Sequence, residues 1–469
     1  MVIAALISWP ASETTGPSQG PDAAAAVGAG ADTGLSIETV ARSSMSTDPQ
    51  SCRTQPSSAW TIDHRKTVDV PKWGTIGDLV VDRNGTATLA HGDWVGDRGN
   101  VRTSSVPSAP GDPQTLPGAP PDAPLPNGAK TSAMFSMGNH LGVDNSGALT
   151  AVFQQDVIPR GGDNTEVYDL ALSERPVGGT WSPTPHVAGG GWIGGAEVHV
   201  NASGAAVAVW DTYDALVRVS YRPTAGAAWT PSQPVAPDAT FVWDAGIDDT
   251  GRVVVAYMTR DEDLRVVAGT PITGWSRPRP LPGLRPELAV GSGGHVLVTV
   301  ARGEQGLQHW TYTISPTGQR GNGIRQPNTG SYPDPVIAVD GTGRGTYMWW
   351  EDNRLMTRSS GRDGQWRKPC VLADHVREPR YYDDVTRHLG VNSRGDALVI
   401  YRTRHRAIHL WASYKPVGQP WTEPVKVTAG ATRRYGEFRA AIGQSGHGAV
   451  AWITHNDKQL TILRMSPSH

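Results

Sequence analysis

Apolar and polar residues alternate along this chain in short runs, and the runs come in pairs joined by a four-residue turn that closes on glycine. The turns are Asp82-Arg83-Asn84-Gly85, Asp144-Asn145-Ser146-Gly147, Asn201-Ala202-Ser203-Gly204, Asp248-Asp249-Thr250-Gly251, Gly291-Ser292-Gly293-Gly294, Asp340-Gly341-Thr342-Gly343, Asn392-Ser393-Arg394-Gly395 and Gly443-Gln444-Ser445-Gly446. A period of two on each side of a turn predicts a pair of antiparallel strands. Asp or Asn at the first turn position accepts backbone hydrogen bonds, and glycine at the fourth tolerates a positive φ. The repeated aspartates therefore read as structural, since a calcium loop needs a denser run of carboxylates.

The closing glycines stand 43 to 62 residues apart, the size of one propeller blade. A complete unit runs from Glu197 to Val235: it predicts the strands Val198–Val200, Ala205–Trp210 and Leu216–Tyr221, alternating apolar and polar, then a fourth from Trp229 to Val235. The fourth strand pairs a tryptophan with a proline shortly after it: Trp181 and Pro183, Trp229 and Pro231, Trp275 and Pro278, Trp366 and Pro369, Trp421 and Pro424. Proline has no N–H to offer, which suits the outermost edge of a sheet. The tryptophans read as packing residues at the blade rim rather than as sugar-stacking platforms. The last unit, Phe438–Ile442, Gly448–Trp452 and Leu460–Leu463, stops one strand short, and Ala59–Ile62 at the other end of the chain supplies the missing strand.

The expected fold is all-β: an eight-bladed β-propeller of four-stranded antiparallel blades, closed by an N-terminal strand, with seven blades as the alternative if the first unit is irregular. Residues 1–57 form an expected disordered tail, rich in Ala, Gly, Ser, Thr and Pro, and residues 58–469 the propeller. The composition agrees, with Gly 55, Pro 37 and Trp 17 against Phe 4, and only 18% charged residues. A formal charge of -2, with Lys and Arg scattered, argues against nucleic acid as a partner. No run is long and apolar enough to span a membrane, and the chain is expected to be a monomer. The opening Met1 to Ser12 reads either as the apolar half of a secretory signal peptide or as a plain apolar tail; the first reading makes the protein secreted. Cys52 and Cys370 either form one bridge in an oxidising compartment or stay as two thiols.

The stretches between third and fourth strands, Ser173–Trp181, Ser220–Trp229 and Ser413–Trp421, resemble a degenerate Asp box, the serine, aspartate, glycine and aromatic turn of sialidase-like propellers. Ser359 and Trp366 keep the seven-residue interval of the box, with Gly361 where the aspartate would stand. The resemblance covers most of residues 59–469 as blade grammar and implies a sialidase-superfamily-like secreted repeat propeller, without sialidase chemistry.

Propeller ligands bind around the central channel on the face where second-to-third loops and inter-blade loops open. Those loops carry Asp211, Trp243, Arg285 and Glu287 among others, and the segment richest in chemistry is Asp374 to His388. A hydrolase of acidic sugars could be assembled from Tyr435 as nucleophile and Glu437 as its base, with Arg285, Arg377 and Arg434 for the acid. A uronate lyase would draw on Arg380 with Tyr381 or His388 as base, and Tyr382 and Asp383 are further candidate ligand contacts in the same loop. The fourteen histidines show no metal-ligand spacing, and no phosphate loop or nucleophile elbow is present, so neither metal nor cofactor is expected. The leading expectation is a secreted propeller that binds a carbohydrate or protein ligand on its loop face; a glycan-active hydrolase or lyase comes second, and a structural cell-surface interaction module third.

Overall fold

The computed structural model describes residues 51–55, 60–70, 75–95, 98–108, 112–117, 130–132, 140–158, 167–183, 193–212, 216–302, 308–327, 335–362, 364–374, 376, 387–405, 407–428, 435–454 and 459–467. Among these every regular element is a strand. Eight antiparallel sheets follow one another along the chain, and their innermost strands are Thr75–Val81, His140–Val143, Ile193–Val200, Ala239–Ile247, Leu284–Val290, Val336–Val339, Arg387–Val391 and Tyr435–Ile442, opening blades 1 to 8. The seven-bladed alternative falls, because the first unit, from Thr75 to Thr115, is a complete four-stranded sheet. Blade 2 departs from the pattern: Leu149–Ile158 pairs with both Lys130–Ser132 and His140–Val143.

The buried apolar side chains sort into clusters that each span two neighbouring blades, and every seam of the ring has one. The second strands explain why. In blade 3, Val207 and Val209 join the seam with blade 4, whereas Ala208 and Trp210 join the seam with blade 2. In blade 4, Val253 and Val255 face blade 3, and Val254 and Ala256 face blade 5. Alternation along a second strand is thus between two apolar seams, not between core and water, which is why Ala206–Thr212 and Gly448–Thr454 are buried almost throughout.

Closure follows the predicted route. Trp60–Asp69 pairs antiparallel with Gln459–Pro467, placing Trp60 opposite Pro467, and so completes blade 8. Trp60 stacks on Tyr414 of blade 7 at 4.1 Å between ring centroids, and Arg464 grips Asp63 through two nitrogens at 3.0 and 2.6 Å.

The turns behave as their sequence requires. In Asp82, Asp144, Asn201, Asp248, Asp340 and Asn392 the side-chain Oδ1 accepts the N–H groups two and four residues on, at 2.7 to 3.1 Å. Two turns start with glycine instead, and crowding explains both. A Cβ at Gly291 would stand 2.4 Å from the carbonyl oxygen of Asp340, and one at Gly443 2.6 Å from that of Asp82.

Several fourth strands are shorter than expected, whereas that of blade 8 runs ten residues, Trp60–Asp69. In blade 3 only Gln233–Pro234 forms regular pairing, because Pro231 interrupts a run that Ser220 and Tyr221 otherwise hold through Thr230, at 2.6 and 3.0 Å. The rim tryptophans pack as predicted: Trp181 and Trp421 are buried, and a cation from the third strand lies over each of several rings. Arg175 lies 5.4 Å from Trp181, Arg222 5.4 Å from Trp229 and Lys415 6.0 Å from Trp421. The segments that resemble an Asp box thus hold a cation on an indole.

The propeller body starts earlier than residue 58. Arg53–Gln55 pairs in parallel with Trp421–Thr422 of blade 7, and Cys52 is disulfide-bonded to Cys370 of blade 6, 318 residues away. Arg53 meets Asp374 at 3.5 Å and Glu423 at 3.6 Å. The chain therefore crosses the rims of blades 6 and 7 before it closes blade 8. Cys370→Ser should cost about 2–5 kcal/mol in chemical denaturation, and removal of residues 1–69 should cost more by stripping blade 8 of its outer strand; equal stability of the wild type and the truncated chain would contradict this closure.

Candidate functional site

Four residues before each turn, the innermost strands carry Asp78, His140, Glu197, Asp244, Glu287, Val336, His388 and Arg439. All eight side chains are half-buried, while the next residue in every blade, from Leu79 to Ala440, is buried in a seam. Strand alternation therefore turns this position away from that seam and toward the following blade, against whose seam Val336 packs, making a ring in which seven of eight members are ionisable.

Several members also fasten one blade to the next. Asp78 Oδ2 accepts the Leu141 N–H at 3.4 Å and meets His140 Nδ1 at 2.9 Å. Glu197 Oε2 accepts the Ala245 N–H at 3.2 Å, and Asp244 Oδ2 accepts the Leu288 N–H at 2.9 Å. His388 Nδ1 accepts the Ala440 N–H at 3.2 Å, and Glu437, two residues upstream of the ring, accepts the Ile76 N–H at 2.8 Å. Bulges interrupt the innermost strands just above the ring in blades 1, 3, 4, 5 and 8, and such bulges re-aim side chains.

Charge is spread unevenly around the ring. Glu197, Asp244 and Glu287 fill three consecutive blades; burial pushes the Asp244 carboxyl well above the usual carboxylate range, and the two flanking carboxylates push it further. Burial likewise raises Asp211, at the loop end of blade 3, to about 6, although its Oδ1 accepts the Gly195 N–H at 2.9 Å. Burial opposes ionisation of Asp78, but His140, Arg439 and His388 prevail and hold it down at about 2. His140 is raised, its burial outweighed by Asp78 and Glu197. Burial, reinforced by Arg439, pushes His388 down to about 4, so its ring is neutral with the proton on Nε2.

The structure treats the sequence-predicted site residues unequally. His388 belongs to the ring, but the nitrogen that could act as a base already accepts a backbone N–H. Glu437 is tied to blade 1. Arg285 lies in the innermost strand of blade 5 at φ 50 and has a partner of its own. Tyr435 opens the innermost strand of blade 8, and its side chain lies outside what is described, as do Arg377, Arg380, Tyr381, Tyr382, Asp383 and Arg434 altogether. Sequence reasoning missed Asp78, His140, Glu197, Asp244 and Arg439; the signal was their constant offset from the turn. Among the described residues no group of three or more His, Cys, Asp or Glu could hold a metal ion.

No family model and no curated protein matches the chain. Among solved structures it is similar to AofleA from Arthrobotrys oligospora, at 12% identity and TM-score 0.38 over 64% of this chain and 90% of that one. It is also similar to the WD40 domain of SCAP from fission yeast, at 9% identity and TM-score 0.46 over 86% and 98%, and to the intramolecular trans-sialidase from Ruminococcus gnavus, at 9% identity and TM-score 0.35 over 84% and 94%. Likeness at this level says nothing about the ring.

The shifted acids set a pH dependence. A carboxyl whose folded pKa is raised contributes stability that is full below the unfolded value and is lost as pH rises through the folded one. Asp211→Asn should therefore stabilise the protein by about 2–3 kcal/mol above pH 6, and Asp244→Asn should also stabilise at pH 8, with neither gaining at pH 4. Urea denaturation of each variant at pH 4 and 8 reads this out, and a gain independent of pH would refute the raised acids.

Proposed function

We propose that this chain is a secreted propeller that binds a carbohydrate or protein ligand at the loop-face mouth of its channel. The asymmetry of the ring carries the reading. Side chains with a purely structural duty repeat from blade to blade, as the turn Asp and Asn do. The ring instead gathers carboxylates on blades 3 to 5 and sets His388 and Arg439 on blades 7 and 8. A channel lined unevenly by ionisable groups orients what enters it. An anionic sugar would be repelled by the carboxylate arc, so a neutral or basic group is the fitting occupant on that side. The Cys52–Cys370 disulfide supports an oxidising compartment, hence secretion.

One observation favours an enzyme as the second reading. Asp244 Oδ1 and Glu197 Oε2 accept the same Ala245 N–H, at 2.8 and 3.2 Å. Two adjacent carboxyls, one of them held protonated, are the parts of an acid–base pair for glycosyl transfer to water. A lyase fits less well, because His388 has no free basic nitrogen.

A glycan array and a turnover assay on neutral, basic and acidic oligosaccharides separate the readings. Retention without product release is the expected result. Product release abolished by Asp244→Asn would replace binding by hydrolysis as the function, and retention unchanged by loop-face substitutions would overturn the proposed site.

A further inference from the structure

Two large apolar side chains stand exposed at the same height on adjacent innermost strands. Phe241 of blade 4 and Leu284 of blade 5 each lie seven residues before their turn, three before the ring members Asp244 and Glu287, and are 40% and 56% exposed. Phe241 sits edge-on to Trp243 at 5.1 Å, and Trp243 is itself packed against the core of the seam between blades 4 and 5. The patch is therefore anchored from below and open above. Both strands bulge between the patch and the ring, so three residues span only two of the partner strand and put the carboxylates about 7 Å deeper.

Exposed side chains of this size on a rigid rim mark an interaction surface. We infer that Phe241, Trp243 and Leu284 form the docking surface for an extended polypeptide segment bearing a lysine or arginine, whose apolar neighbour covers Phe241 and Leu284 while its cation reaches the arc of Glu197, Asp244 and Glu287. This rests on the channel-mouth reading and names the ligand class. Charge complementarity selects the cation, since three adjacent blades offer carboxylates there and Asp211 adds a fourth at the loop end of blade 3. The shape of the patch selects polypeptide over sugar. A pyranose stacks on an open aromatic face, whereas here an aliphatic leucine is the most exposed member and buries best against another apolar side chain. The raised pKa of Asp244 fits as well, because a cation beside it would expel its proton.

Panning a random heptapeptide display library on the intact chain tests this. Peptides carrying lysine or arginine beside an apolar residue should be enriched. Phe241→Ala with Leu284→Ala should weaken the selected peptide at least about tenfold, and Glu197→Gln with Asp244→Asn should weaken it about tenfold and flatten its salt dependence. The Gln and Asn replacements keep an acceptor oxygen for the blade-joining N–H groups, and a thermal melt confirms folding. Enrichment of acidic or uncharged peptides, or affinity unmoved by either pair, overturns the inference. A glycan whose binding is lost with Phe241→Ala and Leu284→Ala would overturn the peptide assignment while leaving the channel-mouth reading intact. Absence of any peptide or glycan ligand sensitive to these pairs would overturn both.

Discussion

Everything in this molecule depends on the second strand of each blade being apolar on both faces. Such a strand has no side for water, so a blade acquires a complete core only when a neighbour covers each face. Val207 and Ala208, adjacent in the chain, belong to different seams. A ring left open would expose two such faces, which is why an N-terminal strand is carried back to blade 8 and why a parallel strand and a disulfide secure its approach across blades 6 and 7. Several of the sheet edges that closure leaves are short and proline-bearing, as at Ser182–Pro183 and Gln233–Pro234, a form that resists pairing with other chains.

The same constraint creates the channel chemistry. With one face of each innermost strand committed to one seam, the alternate residues turn toward the next blade, where they are half-buried. Polar groups placed there need partners, and the carboxylates find backbone N–H groups on the next blade, as Asp244 does at Leu288. Crowding then does to Asp244 what isolation would not: neighbouring carboxylates and burial together keep its proton on. Joining the blades and storing polarised acid groups are therefore one arrangement, which ties the stability of the ring to pH and makes its occupant selectable by charge.

The blade grammar was readable from the chain because turns are local. An Asp or Asn whose Oδ1 captures N–H groups two and four residues on needs no tertiary partner, so Asp82, Asp340 and Asn392 announced themselves. The ring was equally regular in position, yet unreadable by repetition, because Asp, His, Glu, Val and Arg share no side chain. Loops dense in charge, such as Asp374 to His388, drew attention that the innermost strands merited. The pairing of Cys52 with Cys370 was undecidable from a separation of 318 residues, since only the fold brings them together. The fourth strands were overread, because a proline signal marks an edge without saying how much of it is paired.

By itself the sequence determined the blade repeat, the turn chemistry and the strand that closes the ring, since each follows from hydrogen bonds and alternation within a few residues. Only the tertiary structure decided for eight blades over seven, which residues join one blade to the next, which carboxyls hold their protons, and that Phe241 and Leu284 stand exposed at one height on adjacent innermost strands. Those properties arise from distances between blades, and no stretch of chain contains two blades' worth of neighbours.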